Sequence, residues 1–353
     1  VRPSDAARIR VVNGARPSGA QRERPKDMAT GKRALPDLQA STPPAPLSLS
    51  RAGVTRSAKA IRIRHGGNER LFQAEIACFA DLAPSQKGVH MSRFEESLNE
   101  AIDEVVIGEA LHIEVLAERI AERVAVGQRA RRSEVRIEAS YPIERRTPVT
   151  DIPTQETYGL IGIAAAGPAG VRRIVGVSAQ GMNACPCAQE LLRAQAGDAL
   201  EEDGFGSEEI ERILQLVPVA THNQRARGTL HVGSPDDRDI PAELLLEIVE
   251  ESMSSEIYEL MKRPDEQYVV DRAHRRPRFV EDSVREMIRG VVERIPDLPD
   301  GAVVRAHQAN FETIHTHDVE AERSGLLGEI RAELAGAHGG AHASLEDWLG
   351  ASA

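Results

Sequence analysis

Between residues 58 and 165 the apolar residues change rhythm twice in a fixed order, and that order restricts the fold more than any other feature of the chain. Residues 58–64 alternate, with Ile61 and Ile63 set against Arg62 and Arg64. His65-Gly66-Gly67-Asn68 then offers a turn, and Phe72, Ala74, Ile76 and Cys78 alternate with Gln73, Glu75, Ala77 and Phe79. This is a hairpin pattern. Ser92, followed three residues later by Glu95, fits a capping box that opens a helix. Phe94, Leu98, Ile102 and Val105 recur at helical spacing, and Leu116, Ile120 and Val124 mark a second helix over residues 113–126. Val135, Ile137, Ala139, Tyr141 and Ile143 return to period two, and residues 158–165 supply a fourth strand. The order is strand-strand-helix-helix-strand-strand.

From Val171 the pattern partly repeats. A strand over residues 171–179 leads to a Cys-containing stretch and a charged helical insertion over residues 199–216. A strand at residues 229–232 follows. Pro241 opens a long helix carrying Leu244, Ile248, Met253, Ile257 and Leu260. A helical stretch over residues 265–294, a last strand over 303–314 and a closing helix over 325–335 complete the unit. Two such units predict an α+β fold of two fused β-β-α-α-β-β modules, residues 57–168 and 169–335. Residues 1–56 are rich in Arg, Pro, Ser and Ala, include Ser41-Thr42-Pro43-Pro44-Ala45-Pro46, and read as a disordered extension. Met28 reads as the functional start, with residues 1–27 upstream of it. Residues 336–353 read as a flexible tail. Aromatics make up only 3% of the chain, so the core falls to Val, Ile, Leu and Ala. A net charge of −11 argues against non-specific nucleic-acid binding. No run approaches the roughly 18 apolar residues of a membrane span, and no apolar leader is present. Three cysteines make no disulfide framework, which points to a reducing cytoplasm.

Two of those cysteines, Cys185 and Cys187, flank Pro186 where a strand gives way to a helix. Helix N-termini carry partial positive charge that favours a thiolate. A buried cysteine is usually a small hydrophobe. A disulfide across one residue is strained, and a closed structural zinc site needs a second ligand pair that the chain lacks. The remaining readings are a ligand in an open metal site, a nucleophile, or one of each. His222 stands in Thr221-His222-Asn223-Gln224-Arg225. His315 and His317, if extended, share a strand face with Thr313, beside Glu312. Glu266 and Glu281 each follow a proline-marked break and suit a helix start. No Gly-rich phosphate loop is present. Lys87, His90, Arg93, Arg225 and Arg227 are therefore the candidates for phosphate contacts, against the commoner reading of a solvated face. His112, His274, His338 and His342 read as surface histidines.

Taken together, Cys185-Pro186-Cys187, Thr221-His222-Asn223-Gln224-Arg225, Lys262-Arg263-Pro264-Asp265-Glu266, Phe279-Val280-Glu281-Asp282 and Phe311-Glu312-x-Ile314-His315-x-His317 resemble the prokaryotic GTP cyclohydrolases of type IB. Lys87-Gly88-Val89-His90-Met91-Ser92-Arg93-Phe94 resembles another segment of that family, with Val89 in place of Thr, and Leu35-Pro36-Asp37-Leu38-Gln39 resembles its N-terminal motif. The resemblance covers about residues 34–325. It implies a tunnelling fold whose modules form barrels on oligomerisation, commonly a homotetramer with active sites at subunit interfaces. It also implies hydrolysis of GTP to formate and 7,8-dihydroneopterin triphosphate, the entry to tetrahydrofolate synthesis, with Zn²⁺, or Mn²⁺ or Fe²⁺, as the metal. By the same resemblance Cys185, His222 and Glu266 match metal ligands. Cys185, Cys187, Glu312, His315 and His317 fall at catalytic positions, and Glu281 matches the carboxylate that anchors guanine. Lys87, His90, Arg93 and Arg225 join Glu281 as substrate contacts.

The residue types suit that chemistry. Water must be activated to attack the poorly electrophilic C8, and a carboxylate can accept both guanine N1–H and the exocyclic amine. The insertion over residues 200–216 departs from shorter bacterial members. Residues 182–189 look closer to archaeal-type relatives, whose product is a dihydroneopterin cyclic phosphate. Two other readings compete: an NADPH-dependent nitrile reductase of the same fold, against which the metal-ligand set argues, and a non-enzymatic purine- or metal-binding protein.

Overall fold

A computed structural model describes residues 37–65, 68–104, 112–168, 170–236, 238–337 and 342–350. Residues 1–36, and with them Met28, Leu35 and Pro36, lie outside the described residues, as do Gly66, Gly67, Val105 and His338. The first module runs β1 (Leu49–His65), β2 (Asn68–Leu82), α1 (Met91–Glu104), α2 (Ile113–Gln128), β3 (Ser133–Arg146) and β4 (Pro153–Gly167). The second runs β5 (Gly170–Ala184), α3 (Pro186–Glu202), α4 (Ser207–Leu216), β6 (Asn223–Gly233), α5 (Ala242–Ser252), β7 (Ser255–Glu256), α6 (Arg263–Arg275) and α7 (Val280–Arg294). It continues through β8 (Val303–Asn310), β9 (Val319–Leu326), α8 (Leu327–Leu334) and α9 (Leu345–Gly350). The expected α+β architecture of two β-β-α-α-β-β units is present. Its strands join one antiparallel sheet in the order β1-β2-β3-β4-β5-β6-β8-β9, with β7 paired to β5.

Period two explains the sheet. Ile76, Ile137, Leu160, Val177, Leu230 and Val304 point to one face and bury against Phe94 and Leu98 of α1, Leu116 and Ile120 of α2, Leu245 and Val249 of α5, and Met287 and Val291 of α7. The helices lie so close that Gly162 of β4 is required: a Cβ there would meet the Ile113 carbonyl oxygen at 2.7 Å. Cys78 belongs to this core. Burial, and to a lesser degree the Glu95 carboxylate, push its thiol up to about 12, so it packs as an inert apolar group.

Four expectations need correction. β1 starts at Leu49, inside the segment read as disordered. Register shifts between Leu49 and Ala52 and between Val54 and Ser57, with Arg56 at φ 56°, break the alternation that would have revealed it. The helix opened by Pro241 stops at Ser252, because Ser255 and Glu256 leave it to pair with Gly181 and Met182 of β5. The last strand is β9, and β8 ends at Asn310. β9 is an edge strand with a mostly polar outer face, so its sequence does not alternate cleanly. In the tail, α9 buries Leu345, Trp348 and Leu349 against Ala165, Ile174 and Val303 on the face away from α1 and α2. There the Trp348 indole N–H donates to the Gly301 carbonyl at 2.9 Å, and the ring lies against Gly233, which has no Cβ to obstruct it. Among the described residues no helix is long and apolar enough to cross a membrane.

Candidate active site

The ladder between β5 and β6 ends at the pair Ala184–Asn223, and the next residue on each strand is a candidate ligand. Cys185 leaves β5 in an extended conformation (φ −75°, ψ 118°) and caps α3, whose first residue is Pro186. Proline suits that place because its missing N–H is one the helix could not use. The Cys185 amide donates to the His222 carbonyl at 3.1 Å, and the Thr221 hydroxyl donates to the Cys185 carbonyl at 3.2 Å. Cys185 is half-buried and Cys187 is exposed.

The loop after β8 folds back over this end. The Phe311 amide donates to the Arg225 carbonyl at 2.9 Å, the Thr313 hydroxyl to the Asn223 carbonyl at 3.2 Å, and the Glu312 amide to Asp318 at 3.0 Å. Glu312 is thereby turned toward His222. Gln224 Nε2 donates to Glu312 Oε1 at 3.1 Å, which leaves Glu312 Oε2 4.0 Å from His222 Nδ1. Both of those atoms are buried with no hydrogen-bond partner. Bonds of about 2.0–2.2 Å from one cation to N and O ligands can span that separation. The orphaned pair therefore fits a divalent metal, while the Cys185 sulfur does not lie mutually within 4.8 Å of both in the single chain.

His315 and His317 are not on a strand. They lie exposed in the bend after β8 with rings stacked at 5.3 Å and 12°. Glu266 is exposed in the first turn of α6. The sulfur of Cys185, a nitrogen of His222 and an oxygen of Glu266 do not lie mutually within 4.8 Å in the single chain. At the other end of α6, His274 is buried and meets the Thr221 carbonyl at 3.2 Å, so it is no surface histidine. The eight residues from Glu266 to His274 span about 12 Å of helix. The neighbour of Glu266, Asp265, is fully buried and receives the amides of Val149, Thr150 and Lys262 and the Thr150 hydroxyl. Burial opposes its ionisation, but these donors outweigh burial and hold its carboxyl well below the usual carboxylate range.

Glu281 is exposed in the first turn of α7. The preceding segment is tied to the Cys185 end, since the Arg278 amide donates to the Ala184 carbonyl at 3.0 Å. Arg225 and Arg227 line a polar cavity of about 850 Å³ with Glu75, Ser178, Gln180 and Tyr158. Lys87, His90 and Arg93 sit elsewhere. The His90 amide and carbonyl bind the Gln128 side chain, and Arg93 donates to the Gly127 carbonyl, both at the C-terminal end of α2. That region adjoins the end of β2 and the starts of β3 and β5, whereas Cys185 follows the far end of β5. A 15-residue strand is about 45 Å long.

Sequence reasoning missed the support beneath Cys185. Asn183 is fully buried; its Nδ2 donates to Ser283 Oγ and Asn310 Oδ1, each at 3.1 Å, and its Oδ1 accepts the Ser254 amide at 2.9 Å. Ser254 Oγ accepts the Ala184 amide at 3.1 Å. The one signal available was an asparagine at an inward position of an apolar strand.

The sequence profile described as type I GTP cyclohydrolase folE2 matches residues 35–321. The GTP cyclohydrolase MptA of Methanococcus aeolicus is 41% identical over 305 residues, covering 84% of this chain and 99% of that protein. The MptA of Methanosarcina acetivorans is 39% identical over 310 residues, covering 85% and 97%. Among solved structures, a uricase from Arthrobacter globiformis superposes with a TM-score of 0.48 at 7% identity, over 78% of this chain and 93% of that one. The profile takes in the first module, the whole Cys185 end and the second module as far as the start of β9, and the chain belongs to the folE2 family of type I GTP cyclohydrolases.

Proposed function

We propose that the protein hydrolyses GTP at guanine C8, releasing formate, and that the Cys185 end of the sheet carries the reaction. The observation behind this reading is the pair of buried, unpartnered ligand atoms, His222 Nδ1 and Glu312 Oε2, 4.0 Å apart beside Cys185. Cys185 and His222 would hold the metal (Zn²⁺, or Mn²⁺ or Fe²⁺), with Glu312 facing His222 and with Glu266, which the single chain does not bring to them, joining on assembly. A bound divalent ion supplies a Lewis acid that makes water a nucleophile near neutral pH. Gln224 fixes the direction of Glu312, whose free oxygen accepts a proton from the attacking water. His315 and His317 protonate the ring nitrogen as the C8–N bond breaks, and the Cys187 thiol relays protons. Glu281 pairs with guanine N1–H and the exocyclic amine; adenine would leave that carboxylate unpaired. Arg225 faces the phosphates.

Lys87, His90 and Arg93 lie at the opposite end of the sheet from Cys185, so in this reading they complete the site of a neighbouring chain. The working form is a homo-oligomer, a tetramer whose sheets close into barrels. Mixing two inactive variants, Cys185→Ala and Arg93→Ala, then restores part of the activity, because some interfaces recover one intact set. Failure of the mixture, when each variant still assembles, would remove the shared site.

The product reading is 7,8-dihydroneopterin triphosphate, destined for tetrahydrofolate. A dihydroneopterin cyclic phosphate is the second reading, favoured by the identity of about two residues in five to the Methanococcus and Methanosarcina proteins. The mass of the product from GTP separates the two, since cyclisation expels pyrophosphate.

A further inference from the structure

A second cluster of ligand groups lies at the seam between the modules. His112 precedes α2, Glu114 is in its first turn, and Asp239 stands between β6 and α5. A ring nitrogen of His112 and a carboxylate oxygen from each acid lie mutually within 4.8 Å; among the described residues no other trio of His, Cys, Asp or Glu does so. The cluster adjoins Arg173 on β5, twelve residues or about 40 Å of strand from Cys185.

The trio is more than a chance meeting of surface charges. Glu114 is 3% exposed, and its Oε2 has no hydrogen-bond partner. His112 Nδ1 lies 3.3 Å from Glu114 Oε1, an ion-pair distance when the imidazole is protonated. Leaving a buried carboxylate oxygen bare is costly. A void of about 10 Å³ beside Glu114, lined by Arg173, Ser234 and Arg238, is at the lower limit for a single water. Charge points the same way. Glu114, Glu118 and Asp239 surround one guanidinium, Arg173, which donates to Glu118 at 2.7 Å and lies 3.7 Å from Asp239. The neighbouring Arg238 is already held by Asp236. Burial pushes the Glu114 carboxyl up, a cost that a cation beside it would offset. Asp239 is 65% exposed and leaves a path for an ion to enter.

We propose that His112, Glu114 and Asp239 form a second divalent-metal site that clips the first module to the second. One imidazole and two carboxylates suit Zn²⁺ or Mn²⁺. His112 and Glu114 come from one module and Asp239 from the other, so the ion has a structural task separate from GTP hydrolysis.

The test uses full-length protein carrying Cys185→Ala, which isolates this site from the one at Cys185, with Zn²⁺ or Mn²⁺ alone as the probe. Equilibrium dialysis with elemental analysis should find one ion per chain, and that ion should raise the melting temperature. Adding Asp239→Asn, an exposed change that does not disturb packing, should weaken binding more than about tenfold, since losing even a group that only orients a ligand costs 10–100-fold. Glu114→Gln, which keeps the side-chain shape, should do the same. Absence of a bound ion in the Cys185→Ala protein overturns the proposal, as does unchanged binding after both further substitutions. If the Cys185 reading fails instead, wild type and Cys185→Ala bind the same single ion, and Asp239→Asn removes it.

Discussion

Asn183→Ala tests whether the buried polar hub beneath Cys185 sets the position of the thiol. The side chain makes three hydrogen bonds in a place without solvent. After its removal the Ser283 hydroxyl can rotate, and Asn310 Oδ1 still accepts from Gln308 at 3.3 Å. The Ser254 amide cannot turn and is orphaned. One orphaned amide at about 1–3 kcal/mol and two weakened bonds at about 0.5–1 kcal/mol each give a loss of about 3 kcal/mol. Unfolding entropy of about 2.1 cal/mol/K per residue over the roughly 300 described residues is about 0.6 kcal/mol/K, so the melting temperature should fall by about 5 °C. Ser254 also receives the Ala184 amide, so its displacement moves Cys185. A shift near 1 Å at a reacting group costs on the order of 100-fold in rate. Differential scanning calorimetry and formate release from GTP read the two effects. A melting temperature within about 1 °C of wild type, together with an unchanged rate, would refute the positioning argument.

Asp265→Asn should lower stability at neutral pH, by a margin that shrinks as the pH falls. The Asp265 carboxyl is depressed in the fold below its ordinary value of 3.8, so its contribution is complete above that value and disappears as the pH drops through the folded one; acid unfolding curves of the two proteins should converge. Iodoacetamide at neutral pH should label Cys185 and Cys187 in the native protein and spare Cys78, whose thiol is buried and pushed up to about 12; peptide mass spectrometry showing Cys78 modified before unfolding would contradict the packing. Trp348→Ala should destabilise by about 3–5 kcal/mol, as for other buried aromatics, without changing the rate of formate release, because α9 docks at the end of β5 remote from Cys185; an undiminished melting temperature would mean the tail is not docked.

The first module was legible because Ile76, Ile137 and Leu160 on its strands and Phe94 and Leu116 on its helices keep clean periods, and each period maps to one buried face. Legibility failed where tertiary contacts overrule the local pattern. Bulges hide the start of β1, the pairing of Ser255 and Glu256 with β5 cuts α5 short, and β9 presents polar residues because it is an edge. At the site, the sequence motifs named Cys185 and His222, and the strand register makes them neighbours. They could not show that Glu312 faces His222, because that depends on a loop folding back through Phe311, Thr313 and Asp318. The fully buried Asp265 was passed over for its exposed neighbour Glu266, since helix-start acids look alike until burial separates them.

The reaction itself can be read from one carbon. GTP carrying ¹³C at C8 is incubated with the protein and Zn²⁺, Mn²⁺ or Fe²⁺, and formate is followed by NMR. The account requires the label to leave as formate, one per GTP consumed, with wild type and not with folded Cys185→Ala. Label retained in an intact guanine ring with metal-loaded wild type, or formate released at the wild-type rate by Cys185→Ala, would contradict it.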